Sequence, residues 1–146
     1  MEVNMYKLQE ELERDEGVRD TMYYDTVGVP TIGIGHNLHQ PIPKEAIDII
    51  FEYDLKKHMA ECVTLPYWGK LSEVRKRVII NMMFNLGLPG FLKFKRLNAA
   101  LKAADYGAAA FEMMDSKWYH QVGNRADRLI HAMKTNTDDE LSVHSG

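Results

Sequence analysis

Apolar residues recur at helical spacing along most of the chain, and this periodicity defines its elements. Val3, Tyr6 or Met5, Leu8 and Leu12 form one stripe over residues 3–15, with Glu and Lys on the other side and Gly17 as the exit. The pattern then changes: Met22, Tyr23 and Tyr24 lead to a Thr-Val-Gly turn at 26–28. Val29 to Ile34 returns, broken by Gly33, with Gly35 just beyond, which predicts a β-hairpin. Beyond a linker with two prolines, Pro43 opens a long amphipathic helix over about 43–62. Ile47, Ile50, Phe51, Leu55, Met59 and Cys62 make its apolar stripe. Ser72 with Glu73 caps a strongly apolar helix over about 72–86, with Val74, Val78, Ile79, Met82, Met83 and Leu86 inward and Gly87 as its stop. Further helices are expected over about 91–104, 105–115 and 123–134, with a Trp118–Tyr119 turn before the last.

These elements predict an α+β fold that is mostly α. A small lobe with a β-hairpin or short sheet (about 13–42) is joined by the long connector helix (about 43–62) to a larger α-helical lobe (about 66–134). Helix 3–15 is expected to pack on the helical lobe, so that 1–134 form a single domain and 135–146 a flexible tail.

A hydrophobic content of 45% and a charged content of 27% describe a globular chain, and 146 residues suffice for one modest core or two small lobes. The single cysteine, Cys62, excludes an internal disulfide, so folding does not depend on oxidation. No run reaches transmembrane length and no signal peptide is visible, which predicts a protein made and held in the cytoplasm, without membrane insertion. The net charge of −3 hides an asymmetry: residues 1–69 hold 6 Lys/Arg against 13 Asp/Glu, whereas 70–134 hold 12 against 5. Arg75, Lys76 and Arg77 belong to this basic half, which would attract an anionic polymer; solvated helix faces explain it equally well.

The chemistry concentrates in EGVRDTMYYDTVGVPTIGIGHNL, residues 16–38. Eight residues separate Glu16 from Asp25 and five separate Asp25 from Thr31. A carboxyl at a helix exit and a second on the hairpin can face each other across a groove. Glycosidic hydrolysis needs that combination: a protonated acid for the leaving oxygen, and an ionised group to direct water or stabilise the developing cation. Gly33 and Gly35 do not make a dinucleotide loop, because Leu38 stands where a third glycine belongs and no helix follows directly. His36, His39, His58 and Cys62 have metal-like spacings, yet this chemistry needs neither metal nor other cofactor, and none is expected.

The Glu–Asp–Thr spacing with the TIGIGH run resembles the phage-type lysozymes, the muramidases or endolysins of bacteriophages. RVIINMMFNLG, SKWYHQ and NRADRLI extend the likeness over roughly residues 5–134. The resemblance implies a lysozyme-like fold and an inverting glycoside hydrolase cutting the β-1,4 bond between N-acetylmuramic acid and N-acetylglucosamine in peptidoglycan. Glu16 would be the general acid, Asp25 the second carboxylate and Thr31 the hydroxyl that fixes the attacking water. Phe84 would lie under a sugar, Asn85 would offer an amide to an N-acetyl group, and Gly35 would form a substrate-facing edge. The resemblance further implies a glycan strand rather than nucleic acid as partner, and release to the wall through a separate holin; a monomer is expected. From the residues themselves, Arg125 at a helix start would reach Glu16 or stay a surface arginine, and His36 would pack on the connector helix and bond Asp54. A lytic transglycosylase, needing one acid only, and a wall-binding module without turnover are the rival readings. The small lobe is shorter than is usual for such enzymes.

Overall fold

Asn4 starts the first helix, α1 (Met5–Glu16): its side chain accepts the Lys7 N–H at 3.1 Å, and Gly17, at φ 79°, ends it by donating its N–H to the Glu13 carbonyl at 2.9 Å. The computed structural model describes residues 2–138. Among them the chain forms seven α-helices and one three-stranded antiparallel sheet, the mostly helical α+β class that the periodicity predicts.

The sheet runs β1 (Arg19–Tyr24), β2 (Pro30–Gly33), β3 (His36–Asn37), in sequence order. Its first connection is the expected turn at 26–28. Asp25 N–H reaches the Val29 carbonyl at 2.9 Å and Gly28 N–H the Asp25 carbonyl at 3.0 Å, with Gly28 at φ 84°. The third strand was not expected. Gly33 and Gly35, both at positive φ, fold the chain back so that His36 pairs with Ile32 and Asn37 with Thr31.

The chain divides into two compact units, Met1–Ile50 and Phe51–Gly146, with the boundary inside α2 (Lys44–Cys62). α1 groups with the sheet in the first unit. Its stripe has the expected spacing yet buries no residue. Met5, Leu8 and Leu12 line an open groove of about 240 Å³ with Ile34. A unit this small has too little interior to enclose them. Of the stripe on α2, only Cys62 is fully buried.

The second unit is built on α3 (Glu73–Leu92), which Ser72 caps by accepting the Arg75 N–H at 3.2 Å. Gly87 (φ 73°, ψ 164°) breaks this helix where the sequence predicts its end, and a short continuation holds Pro89 in its first turn, where a missing N–H is tolerated. Then follow α4 (Lys95–Lys102), α5 (Tyr106–Met114), α6 (Lys117–Val122) and α7 (Asn124–Thr135). The predicted helix 91–104 is thus divided: Phe91 is buried at the end of α3 and Phe94 caps α4. Trp118 and Tyr119 are helical rather than a turn, because the Ser116 hydroxyl accepts the Tyr119 N–H at 3.2 Å and starts α6.

The core gathers Val78, Ile79, Met82 and Met83 of α3 with Leu97, Leu101, Met113, Trp118 and Met133. The first turns of α3 hold the end of α7. Arg75 Nε donates to the Met133 carbonyl at 2.8 Å with its guanidinium 3.9 Å from the Tyr106 ring centroid, and Ser72 bonds Asn136. Of the tail expected over 135–146, Asp138 accepts from Arg77 at 2.7 Å. The remainder of that expected tail, 139–146, lies outside the described residues.

Candidate active site

Glu16 is the last residue of α1, and the turn between β2 and β3 lies against its side chain. Gly35, at φ 69°, lies so close that a Cβ there would come within 3.0 Å of Glu16 Oε2 and 3.1 Å of Cδ. A larger residue would press the carboxyl aside by a few tenths of an ångström, and the positive φ suits glycine as well. One residue thereby meets two requirements, and it seats the helix-exit carboxyl on the sheet.

Asp25 stands at the head of the β1–β2 loop. Its Oδ1 accepts the N–H groups of Val27 and Val29 at 2.9 and 2.8 Å, while Oδ2 has no hydrogen bond among the described residues. One oxygen is therefore fixed by the loop backbone, and the other is available to a water or a cationic centre. Thr31 is the buried polar residue of the central strand, 3% exposed. It stands opposite Tyr23 on one side and Asn37 on the other. Its hydroxyl donates to the Val29 carbonyl at 2.8 Å, which leaves oxygen lone pairs to accept from water. Val29 joins the two sites, since its N–H holds Asp25 and its carbonyl holds Thr31. The first unit thus contains Glu16, Asp25, Thr31 and Gly35, with Arg19 stacked 4.9 Å from the Tyr23 ring on the same sheet. The sequence did not signal the Arg19–Tyr23 pair, because a bulge between those residues sets its spacing.

His36 opens β3, and its Nε2 is buried with no hydrogen-bond partner among the described residues. Phe84 is half-buried on α3, its ring 5.9 Å from Phe51 and 5.2 Å from His58; Asn85 beside it is exposed. His58 Nδ1 lies 2.6 Å from Glu61 Oε1, a partnership carried by the i,i+3 spacing. Packing of α7 on α3 brings Arg125 Nε within 2.8 Å of the Asn81 side-chain oxygen and its Nη2 within 3.1 Å of the Asn81 carbonyl. Asn81 was overlooked because nothing in a helical pattern distinguishes an amide that receives an arginine 44 residues away. No helix among the described residues is long and apolar enough to cross a membrane.

The small antiparallel sheet with its preceding helix and the mostly helical unit that follows are consistent with a mostly-α, lysozyme-like α+β fold. The chain belongs to the phage lysozyme family, which it matches over residues 13–135. It is 31% identical to the probable T4-type lysozyme 1 of Dictyostelium discoideum, over 89% of this chain and 95% of that protein, and 29% identical to the probable T4-type lysozyme 2 of the same organism, over the same shares. It is also 30% identical to the pre-baseplate central spike protein Gp5 of Enterobacteria phage T4, over 93% of this chain but only 29% of the spike protein's length. The alignments to the two Dictyostelium proteins run over 161 positions, more than this chain's 146 residues, so those relatives carry segments absent here.

Proposed function

We propose that the protein is an endolysin muramidase. It hydrolyses the β-1,4 bond between N-acetylmuramic acid and N-acetylglucosamine in peptidoglycan and so lyses the bacterial wall. Family membership supports the muramidase class of peptidoglycan hydrolase. The observation that carries the reading to named residues is the Glu16 carboxyl held against Gly35, on the sheet that presents Asp25 and Thr31. In this reading Glu16 protonates the leaving glycosidic oxygen as general acid. Asp25, through Oδ2, orients water or stabilises the cationic sugar, and the Thr31 hydroxyl accepts a hydrogen from that water. Water then attacks from the opposite face of the ring and inverts the anomeric centre. Phe84 offers an aromatic face to a pyranose, Asn85 an amide to an N-acetyl group, and Arg125 a charge fixed by Asn81. The enzyme acts as a monomer without metal or cofactor and reaches the wall through a separate holin.

Mass spectrometry of the fragments from purified peptidoglycan tests this. Hydrolysis yields reducing ends, each carrying the added water. Anhydro ends would identify a lytic transglycosylase, and binding without any fragments would identify a wall-binding module.

A further inference from the structure

Within the helical unit, Phe84 of α3 is held by two rings of α2. Its centroid lies 5.9 Å from that of Phe51, at an interplanar angle of 45°, and 5.2 Å from that of His58, at 56°. Both pairs have the separation and the tilt that aromatic rings prefer. Phe51, Leu55 and His58 stand at i, i+4 and i+7 on one face of α2, so the two rings come from positions about 10.5 Å apart along the helix. Phe84 is thus a side chain of one helix set between turns of its neighbour. It also lines a pocket of about 640 Å³ in this unit, with Phe51 and Leu55 beside it. His58 and Glu61 do not line that pocket, and their side chains are 15% and 21% exposed.

A phenylalanine has no polar group, so only its packing decides where its face points. The imidazole that packs on it has a second anchor: His58 Nδ1 lies 2.6 Å from Glu61 Oε1. A carboxylate only accepts, so Nδ1 carries the hydrogen, and that bond fixes the plane of the ring. Glu61 therefore orients His58, and His58 with Phe51 orients Phe84. We infer that the His58–Glu61 pair is a positioning element for Phe84: it holds the face on which a sugar stacks, so that glycan affinity depends on two residues the glycan does not touch. This rests on the reading of Phe84 as the ring under a sugar. The pair acts on binding alike in ground and transition states, and so on KM rather than on kcat.

Initial rates measured against peptidoglycan concentration separate the two constants. His58→Ala removes one of the two rings and should raise KM about two- to tenfold, the equivalent of one aromatic pair, with kcat within about twofold. Glu61→Ala should raise KM by less. Glu61→Gln, whose side-chain oxygen still accepts from Nδ1, should restore the original value. Phe84→Ala should raise KM at least as much as His58→Ala, and in the double variant the loss of His58 should add nothing further, because it acts through Phe84. Tm verifies that each variant is folded, and the Glu61 variants carry the test if His58→Ala is too unstable to assay. A pair that only supports the fold would lower Tm and kcat without moving KM, and that result would overturn the inference. So would a raised KM in Phe84→Ala beside an unchanged one in His58→Ala, or additive increases in the double variant; both leave Phe84 in the sugar site. An unchanged KM in Phe84→Ala would instead remove Phe84 from that site, and the inference with it.

Discussion

Replacing Gly35 by alanine tests whether the seat of Glu16 matters to catalysis or only to folding. Two effects are expected, and they can be separated. Alanine at φ 69° carries a backbone cost of about 1–2 kcal/mol, which for a chain of this size lowers Tm by about 2–8 °C. The new methyl would also meet Glu16 Oε2 at 3.0 Å and Cδ at 3.1 Å, contacts short enough to displace the flexible end of that side chain by a few tenths of an ångström. Misplacing a reacting group by such distances costs about tenfold to a hundredfold in rate. Gly33→Ala is the matched control. It lies in the same turn at φ 68°, with nothing within 4 Å of the added carbon. Both variants should lose similar Tm, but only Gly35→Ala should lose most of its kcat in a turbidity assay on permeabilised cells. Equal activity losses in the two, or an unchanged kcat in Gly35→Ala, would refute the reasoning.

Asp25→Asn keeps an oxygen for the Val27 and Val29 N–H groups, so Tm should change by no more than a few degrees while kcat falls, though less than on removal of the acid. Thr31→Val keeps the volume but removes the donor to the Val29 carbonyl, and should cost about 1 kcal/mol in a urea titration, with activity reduced further. Asn81→Ala releases Arg125 and should destabilise the helical unit by about 1–3 kcal/mol in the same titration, with Arg125→Ala adding little once Asn81 is gone. Burial, with Glu61 close by, pushes the Cys62 thiol up to about 11, so it stays neutral in the folded state. Because the folded value is the higher one, this contribution to stability is complete below about pH 9 and is lost as pH rises toward 11. Labelling by a thiol reagent at pH 8 should therefore track unfolding rather than exposure.

The local signals that proved legible are those with a short-range cause. Gly17, Ser72 and Gly87 mark helix ends in the sequence because capping and positive φ act within a few residues, and each does so in the structure. The hairpin turn at 26–28 was readable for the same reason. Where packing decided, the pattern fell short. The strand at His36–Asn37 exists only because paired glycines fold it onto β2, and Phe91 and Phe94 divide what reads as one continuous helix. The site shows the same division. Glu16, Asp25 and Thr31 were visible as a spacing, but that Gly35 seats the carboxyl depends on the approach of a helix end to a turn 19 residues on. The amide on α3 that binds Arg125 was not legible at all, because that pairing is a choice made by helix packing.

Glu16→Gln tests the central claim most directly, because the amide nearly preserves shape but has no acid proton to give. Initial rates on purified peptidoglycan should fall by about a hundredfold to ten-thousandfold, with Tm unchanged. A variant that remains folded and still cleaves the glycan at close to the original rate would show that the proton comes from another group.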